Sequence, residues 1–156
     1  MKKISALFAA LLLFAGCSDF DIVSSVELTH TGCANETKGL FGGNDSKPML
    51  YLEKTQVGLA ITRTNARLNC IIKDSDDALV CDVRIEGTDI YYSVYEREGP
   101  IANCMCPVER ISSTVTGLQN NTEYVLHYFC GESYMPINFR YRDGLKLKLD
   151  LRDYEN

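Results

Sequence analysis

The stretch that decides the fold is INFRYRDGLKLKLDL, residues 137–151. Apolar and polar side chains alternate through it on both sides of Asp143-Gly144. Alternation with a period of two is typical of a β-strand that buries one face. Asp-Gly is a favoured dipeptide for a two-residue hairpin turn, because both residues tolerate a positive φ. The stretch therefore predicts two antiparallel strands joined as a hairpin.

Similar alternation continues towards the N-terminus. Further strands are predicted at residues 26–29, 57–72, 78–85, 90–95, 111–115 and 124–130. Gly-, Asp- and Asn-rich turns separate them, and the weakly periodic residues 32–48 predict a long loop. No amphipathic helix is apparent after the N-terminal segment. About seven or eight short strands at turn spacing predict an all-β domain, a β-sandwich, over residues 26–156.

The segment Gly117-Leu118-Gln119-Asn120-Asn121-Thr122-Glu123-Tyr124 resembles the Gly-Leu-x-Pro-x-Thr-x-Tyr signature of fibronectin type III domains. Asn120 replaces the usual proline, and the chain lacks the core Trp of that family. The resemblance implies an immunoglobulin-like Greek-key sandwich, with Leu118 buried. It also implies that the Tyr124 hydroxyl bonds to upstream backbone as a tyrosine corner. A fold resemblance of this kind implies no activity.

The N-terminal 16 residues have the pattern of a secretory signal peptide. Lys2 and Lys3 precede an apolar run, Ile4 to Phe14, which is too short to cross the roughly 30 Å hydrocarbon core of a bilayer. Residues 13–17, LFAGC, resemble the lipobox of bacterial lipoproteins. The resemblance implies cleavage before Cys17, lipidation and acylation of Cys17, and a tether over residues 17–25. Several acyl chains on one residue give stable membrane anchoring.

Charge restricts the partners of the mature chain. Removing Lys2 and Lys3 from 16 basic side chains leaves 14 against 21 acidic ones, a net charge of −7. This excess argues against binding nucleic acid or an anionic lipid surface. Asp19 and Asp21, just after Cys17, resemble the acidic surface-export signal of Bacteroides-group lipoproteins. We therefore expect an outer-membrane lipoprotein, on the cell surface or the periplasmic face, whose only membrane contact is its lipid.

Seven cysteines are present, and lipidation of Cys17 leaves an even number for disulfides. Cys104 and Cys106 share one face of an extended segment, so each can reach a different neighbouring strand. We predict that they pair with Cys70 and Cys81, and that Cys33 pairs with Cys130. The segment from residue 50 to 130, with Cys104-x-Cys106-Pro107, resembles small uncharacterised Bacteroides-type lipoproteins, which implies a host group and no catalysis.

Other chemistry finds little support in the sequence. A C-x-C motif is a poor zinc knuckle, and an oxidising envelope favours disulfides over both zinc binding and a reactive dithiol. There is no G-x-S-x-G motif, and His127 lies in a strand without a nucleophile beside it. We therefore predict no cofactor, no metal and no enzymatic activity.

The expected function is a non-enzymatic binding or structural module of the outer envelope, with a protein or glycan partner. A thiol-active or carbohydrate-binding protein is the alternative. Tyrosines suit contacts with sugars or proteins wherever alternation leaves them exposed. The candidates are Tyr91, Tyr92, Tyr95, Tyr128 and Tyr134.

Overall fold

A computed structural model provides the structure of the chain. It describes residues 22–23, 26, 28–33, 47–73, 78–97, 103–130 and 133–154. The predicted signal peptide, Cys17 and most of the long loop predicted at residues 32–48 lie outside these ranges.

Ten strands and a short 3-10 helix, Cys70–Lys73, make up the described fold. The strands are β1 Ile22–Val23, β2 Leu28–His30, β3 Met49–Lys54, β4 Leu59–Asn69, β5 Leu79–Glu86, β6 Asp89–Glu96, β7 Met105–Val115, β8 Thr122–Cys130, β9 Ser133–Tyr141 and β10 Lys146–Asp150. The all-β prediction is confirmed, with more strands than expected. Ile22 and Val23, assigned to the tether from the sequence, form β1.

The strands form two five-stranded sheets. The front sheet has the order β1-β5-β6-β8-β9, and the back sheet has the order β10-β3-β4-β7-β2. All pairs are antiparallel except β6–β8, which is parallel because β7 crosses to the back sheet between them. The sandwich prediction is confirmed, and this one parallel pair differs from the antiparallel sheets of the immunoglobulin plan.

Most of the buried side chains form one cluster between the sheets, which we call the main core. The back sheet contributes Leu50, Leu52, Leu59, Ile61 and Val115. The front sheet and the chain end contribute Val83, Ile85, Ile90, Tyr92, Tyr124, Leu126, Tyr128, Met135, Ile137, Phe139, Tyr141 and Leu151. Full burial of one large apolar side chain contributes about 1.5–3 kcal/mol, so this cluster is the principal source of stability.

A smaller cluster, the second core, lies at the other end of β4 and β7. It consists of Ala66, Cys70, Ile72, Ala78, Leu79, Cys106, Val108 and Ile111. Two of its members are alanines and two are cysteines, so it buries much less apolar surface than the main core.

The inward-facing phase of β4 and β7 shifts by one residue near the boundary between the two cores. In β4 the buried positions change from Leu59 and Ile61 to Ala66, and Asn65 between them has φ 56°. In β7 the shift occurs at the same level, where Glu109 and Arg110 are both exposed. Asn is one of the few residues that adopt this left-handed conformation readily. Both strands therefore turn their apolar faces inward on either side of the break.

The predicted hairpin at Asp143-Gly144 is wrong in its pairing, although both strands exist. The Leu145 amide donates to the Arg142 carbonyl at 3.1 Å, which makes the turn. However, β9 belongs to the front sheet and β10 pairs with β3 in the back sheet. A two-residue type I′ hairpin needs a positive φ at both central residues, and here only Gly144 has one. The turn instead carries the chain from one sheet to the other.

The segment before β8 has the geometry of a tyrosine corner. The Tyr124 hydroxyl accepts a hydrogen bond from the Gln119 backbone amide at 2.9 Å. Gly117 and Asn121 both have positive φ, which lets the chain turn tightly around the Tyr124 ring. Leu118 is half-buried against the main core. These are the contacts that the fibronectin type III resemblance implies.

Candidate functional site

The solvent-facing side of the front sheet carries an unusual density of aromatic side chains. Alternation directs Tyr92 and Tyr128 into the main core, where they are nearly fully buried. It leaves Tyr91, Tyr95 and Tyr134 on the outer face, and Tyr95 and Tyr134 are each 46% exposed. Of the five candidate tyrosines, three are therefore placed for contact with a partner.

Four side chains on this face form a continuous stacked row across β5, β6, β8 and β9. The Arg84 guanidinium lies 4.7 Å from the centre of the Tyr91 ring. Tyr91 stacks on His127 with ring centres 4.5 Å apart, and His127 in turn stacks on Tyr134 at 5.7 Å. We call these four residues the outer row. Each such contact contributes about 0.5–1.5 kcal/mol, so the row also stabilises the parallel β6–β8 pair.

Hydrogen bonds orient the histidine of the outer row through both ring nitrogens. His127 Nε2 lies 2.6 Å from the Asp89 carboxylate, and Nδ1 lies 2.6 Å from the Tyr134 hydroxyl. The His127 side chain is only 15% exposed. An imidazole held at both nitrogens is fixed in position rather than presented to a substrate as a base. The arrangement suits a rigid contact surface, since ordering the surface on binding then costs little entropy.

A notch lies beside the outer row, where Ser93 places a small side chain among large ones. The register pairs Ser93 with Asp82 on one side and with Phe129 on the other. The notch has a volume of about 320 Å³ and is open to solvent. The Asp82 carboxylate accepts a hydrogen bond from the Tyr95 hydroxyl at 2.8 Å. Phe129 is 36% exposed and contacts the Tyr134 ring.

Among the described residues, the cysteines form two disulfides, one of them as predicted. Cys70 pairs with Cys104, which satisfies the prediction for Cys70. Cys106 pairs with Cys33, so the predicted bridges from Cys33 to Cys130 and from Cys81 to the C-x-C motif are wrong. The physical reason is that the Cys33 backbone forms an isolated antiparallel β-bridge with Val108, which lies beside Cys106 on β7. This contact joins segments on either side of the long loop, and the cysteine spacing does not reveal it. The Cys130 side chain lies outside the described part of the chain.

Cys81 is the free cysteine among the described residues and is half-buried. Burial raises the pKa of its thiol, and hydrogen bonds with Tyr92 and Ser113 only partly offset this effect. The Tyr92 and Ser113 hydroxyls are themselves 2.7 Å apart and join the two sheets inside the sandwich. Reactive thiols have lowered pKa values, so Cys81 has the character of a structural residue.

Three further structural facts concern metal binding, membrane-spanning helices and the C-x-C motif. Within the described ranges, no three His, Cys, Asp or Glu side chains are grouped so as to hold a metal ion. The same ranges contain no helix long and apolar enough to span a membrane. Because Cys104 and Cys106 belong to different disulfides, they are not placed as the two halves of one exchanging dithiol.

The sequence predicts the tyrosines of this face but not the surface that they form. Arg84, Asp89 and Phe129 are not expected from it as site residues, and His127 is expected to be an isolated strand residue. Alternation could have placed all of them outside. Their contact depends on the parallel β6–β8 register, for which the sequence carries no local signal.

Comparison with known proteins gives no further assignment: no family model, no curated protein and no solved structure matches this chain.

Proposed function

We propose that this chain is an exported, lipid-anchored binding module without enzymatic activity, and that it contacts its partner through the outer face of the front sheet. The outer row carries the proposal, because it places three aromatic rings and a guanidinium on a rigid, solvent-facing surface. Tyr and Arg are enriched in protein recognition surfaces, where they supply large contact areas.

Export and anchoring rest on separate observations. The signal-peptide pattern and the lipobox resemblance at Cys17 support a lipoprotein of the outer membrane. The two disulfides support an oxidising compartment, since such bonds rarely persist in the cytosol. The acidic residues after Cys17 favour the cell surface over the periplasmic face.

Anchoring is tested by expressing the full chain in a Gram-negative host supplied with labelled palmitate. We expect wild-type protein to carry the label and the Cys17→Ser variant to lack it. Protease treatment of whole cells then separates the two faces, since only surface-exposed protein is digested. Unlabelled wild-type protein would contradict the lipid anchor.

Binding through the outer face is tested with the purified full-length lipoprotein and separated components of the host envelope. The test variant is Tyr91→Ser/Tyr134→Ser. The matched control is Tyr51→Ser, because Tyr51 is also half-buried in a sheet and lies beneath a cation, with Lys148 Nζ 5.5 Å from its ring centre. We expect the outer-row variant to lose retention on at least one component while the control keeps it. Equal retention of both variants would contradict this use of the face.

A further inference from the structure

We propose that the notch above Ser93 binds one neutral pyranose unit of a glycan. The proposal rests on the proposed function, because it names the ligand class for the same face. Ser93 is the only small side chain on the outward side of β6 between Tyr91 and Tyr95. Since the side chains around it are long or aromatic, the sheet has a walled depression at this point rather than a flat surface.

The notch presents the mixed chemistry that a sugar ring requires. A pyranose combines an apolar ring face with hydroxyls that both donate and accept hydrogen bonds. The Asp82 carboxylate accepts, the Arg84 guanidinium donates, and the Ser93 hydroxyl does either. Among the described residues, the Ser93 hydroxyl has no hydrogen-bond partner of its own. Phe129 supplies an apolar wall, so one side of the notch is apolar and the other is polar.

The orientation of the polar groups is already fixed. The Tyr95 hydroxyl holds the Asp82 carboxylate at 2.8 Å, and the Tyr91 ring supports the Arg84 guanidinium. Groups held in this way lose little side-chain freedom when a ligand arrives, which favours binding to a small ligand with few contacts.

The volume and the charge of the notch restrict the class of ligand that it can bind. A volume of about 320 Å³ lies at the lower end of small-molecule sites, which fits one ring rather than several. The open rim allows neighbouring units of a glycan to continue along the sheet. The charged side chains that line the notch are Asp82 and Arg84, and Arg84 is paired with Glu86 at 3.1 Å. Because the described lining of the notch contains no unpaired cation, the notch favours a neutral sugar over uronic and sialic acids.

The stacked rings explain why the notch, and not the outer row, holds the sugar. One face of Tyr91 lies against Arg84 and the ring also stacks on His127, so its faces are occupied within the row. A sugar cannot lie flat on a ring that is covered on both sides. Phe129 contacts Tyr134 at a tilt of 41° and also lines the notch, so part of its surface remains available.

The test uses the purified full-length lipoprotein and the methyl glycosides of glucose, galactose, mannose, fucose and N-acetylglucosamine as probes. Saturation-transfer NMR and titration measure their binding, with methyl glucuronide as the acidic comparison. We expect at least one neutral glycoside to bind and the glucuronide to bind more weakly. Binding of none, or a preference for the glucuronide, would overturn the proposal.

Two variants locate the site, and a third is the control. Ser93→Phe fills the notch, and Asp82→Asn removes a charged acceptor, so each is expected to weaken binding about tenfold or more. Ser112→Phe places the same bulk at a half-buried serine on the interior strand β7 of the back sheet, and binding should be unchanged. Unaltered binding by Ser93→Phe would place the sugar elsewhere. Circular dichroism of each variant confirms that it is folded.

The sugar proposal can fail while the proposed function of the outer face holds, and the experiments distinguish the two. If the outer-row variant loses envelope retention but no neutral glycoside binds, the face is a contact surface and the sugar proposal is wrong. If the component that retains the lipoprotein is a protein, and Ser93→Phe weakens that retention, the ligand of the notch is a peptide segment and not a sugar. If no front-sheet variant alters retention of the lipoprotein on the envelope components, both proposals are contradicted.

Discussion

The main core and the second core lie between the same two sheets, yet they are stabilised in different ways. The main core joins 17 buried residues, mostly large aliphatic and aromatic ones, and neither described disulfide enters it. The second core has eight buried residues, several of them small, and both described disulfides contain one or more of its members. The buried apolar area of the second core is too small to offset the entropy lost on ordering the chain, so the disulfides contribute the remaining stabilisation of this end.

The largest expected effect is the loss of a disulfide from the second core. Replacing Cys33 and Cys106 together by Ala should lower the free energy of unfolding by about 4 kcal/mol, since the bond closes a separation of 73 residues. The Cys70→Ala/Cys104→Ala variant, with a separation of 34, should lose about 0.7 kcal/mol less. Urea denaturation at neutral pH measures both. A loss below about 1 kcal/mol in each would show that packing alone holds this end.

A cavity in the main core is the next largest expected effect. Leu126 is fully buried on the interior strand β8, so Leu126→Ala should cost about 3 kcal/mol, within the usual range for such changes. The control is Leu149→Ala, a half-buried residue at the margin of the same cluster, which should cost clearly less. Urea denaturation compares the two. Equal costs would contradict the view that the main core depends on close packing.

The tyrosine corner is expected to contribute less than either core. Tyr124→Phe keeps the buried ring but removes the acceptor of the Gln119 amide, which should cost about 1–2 kcal/mol. Tyr51→Phe is the matched control on the outer side of β3, and its stability should stay within about 0.5 kcal/mol of wild type. Thermal denaturation of the pair measures the difference. If both variants behave alike, the corner bond adds nothing.

The smallest expected effect is a dependence of stability on alkaline pH. Because the pKa of Cys81 is raised in the folded protein, the unfolded chain loses this proton first as the pH rises past about 8.5. The contribution is fully present below that pH and is lost as the pH rises towards the folded pKa.

Cys81→Ala should therefore flatten the decline in unfolding free energy between about pH 8.5 and 10. Burial also raises the pKa of Tyr92, and Cys81 adds to that rise, so removing Cys81 flattens the Tyr92 contribution in the same direction. Urea denaturation across this range provides the measurement. Identical pH profiles would show that the Cys81 thiol has the same pKa when folded and unfolded.

Much of the fold follows from local pattern. Alternation identified the strands around residues 79–86, 89–96, 122–130 and 146–150, because a period of two is a local consequence of one buried face. It did not identify which strands are neighbours. The pairing of β10 with β3 and the parallel β6–β8 pair join residues far apart in sequence, and the Asp143-Gly144 dipeptide suits several turn geometries.

The candidate site was only partly predictable for the same reason. The exposed tyrosines and the C-x-C motif are visible in the sequence, and the Cys70–Cys104 bond follows from adjacent strands. The Cys33–Cys106 bond, the outer row and the notch depend on contacts between segments whose register is set by the whole sandwich.

The break at Asn65 limits how β4 and β7 can be aligned during folding. An ordinary strand pair can slip by two residues and still bury alternate side chains, so misaligned states compete with the correct one. Here the phase shift in β4 must meet the phase shift in β7. A slip by two residues would set a broken stretch of one strand against a regular stretch of the other, turning apolar side chains outward near one core. The left-handed residue thus acts as a register mark that permits one alignment of the two longest strands.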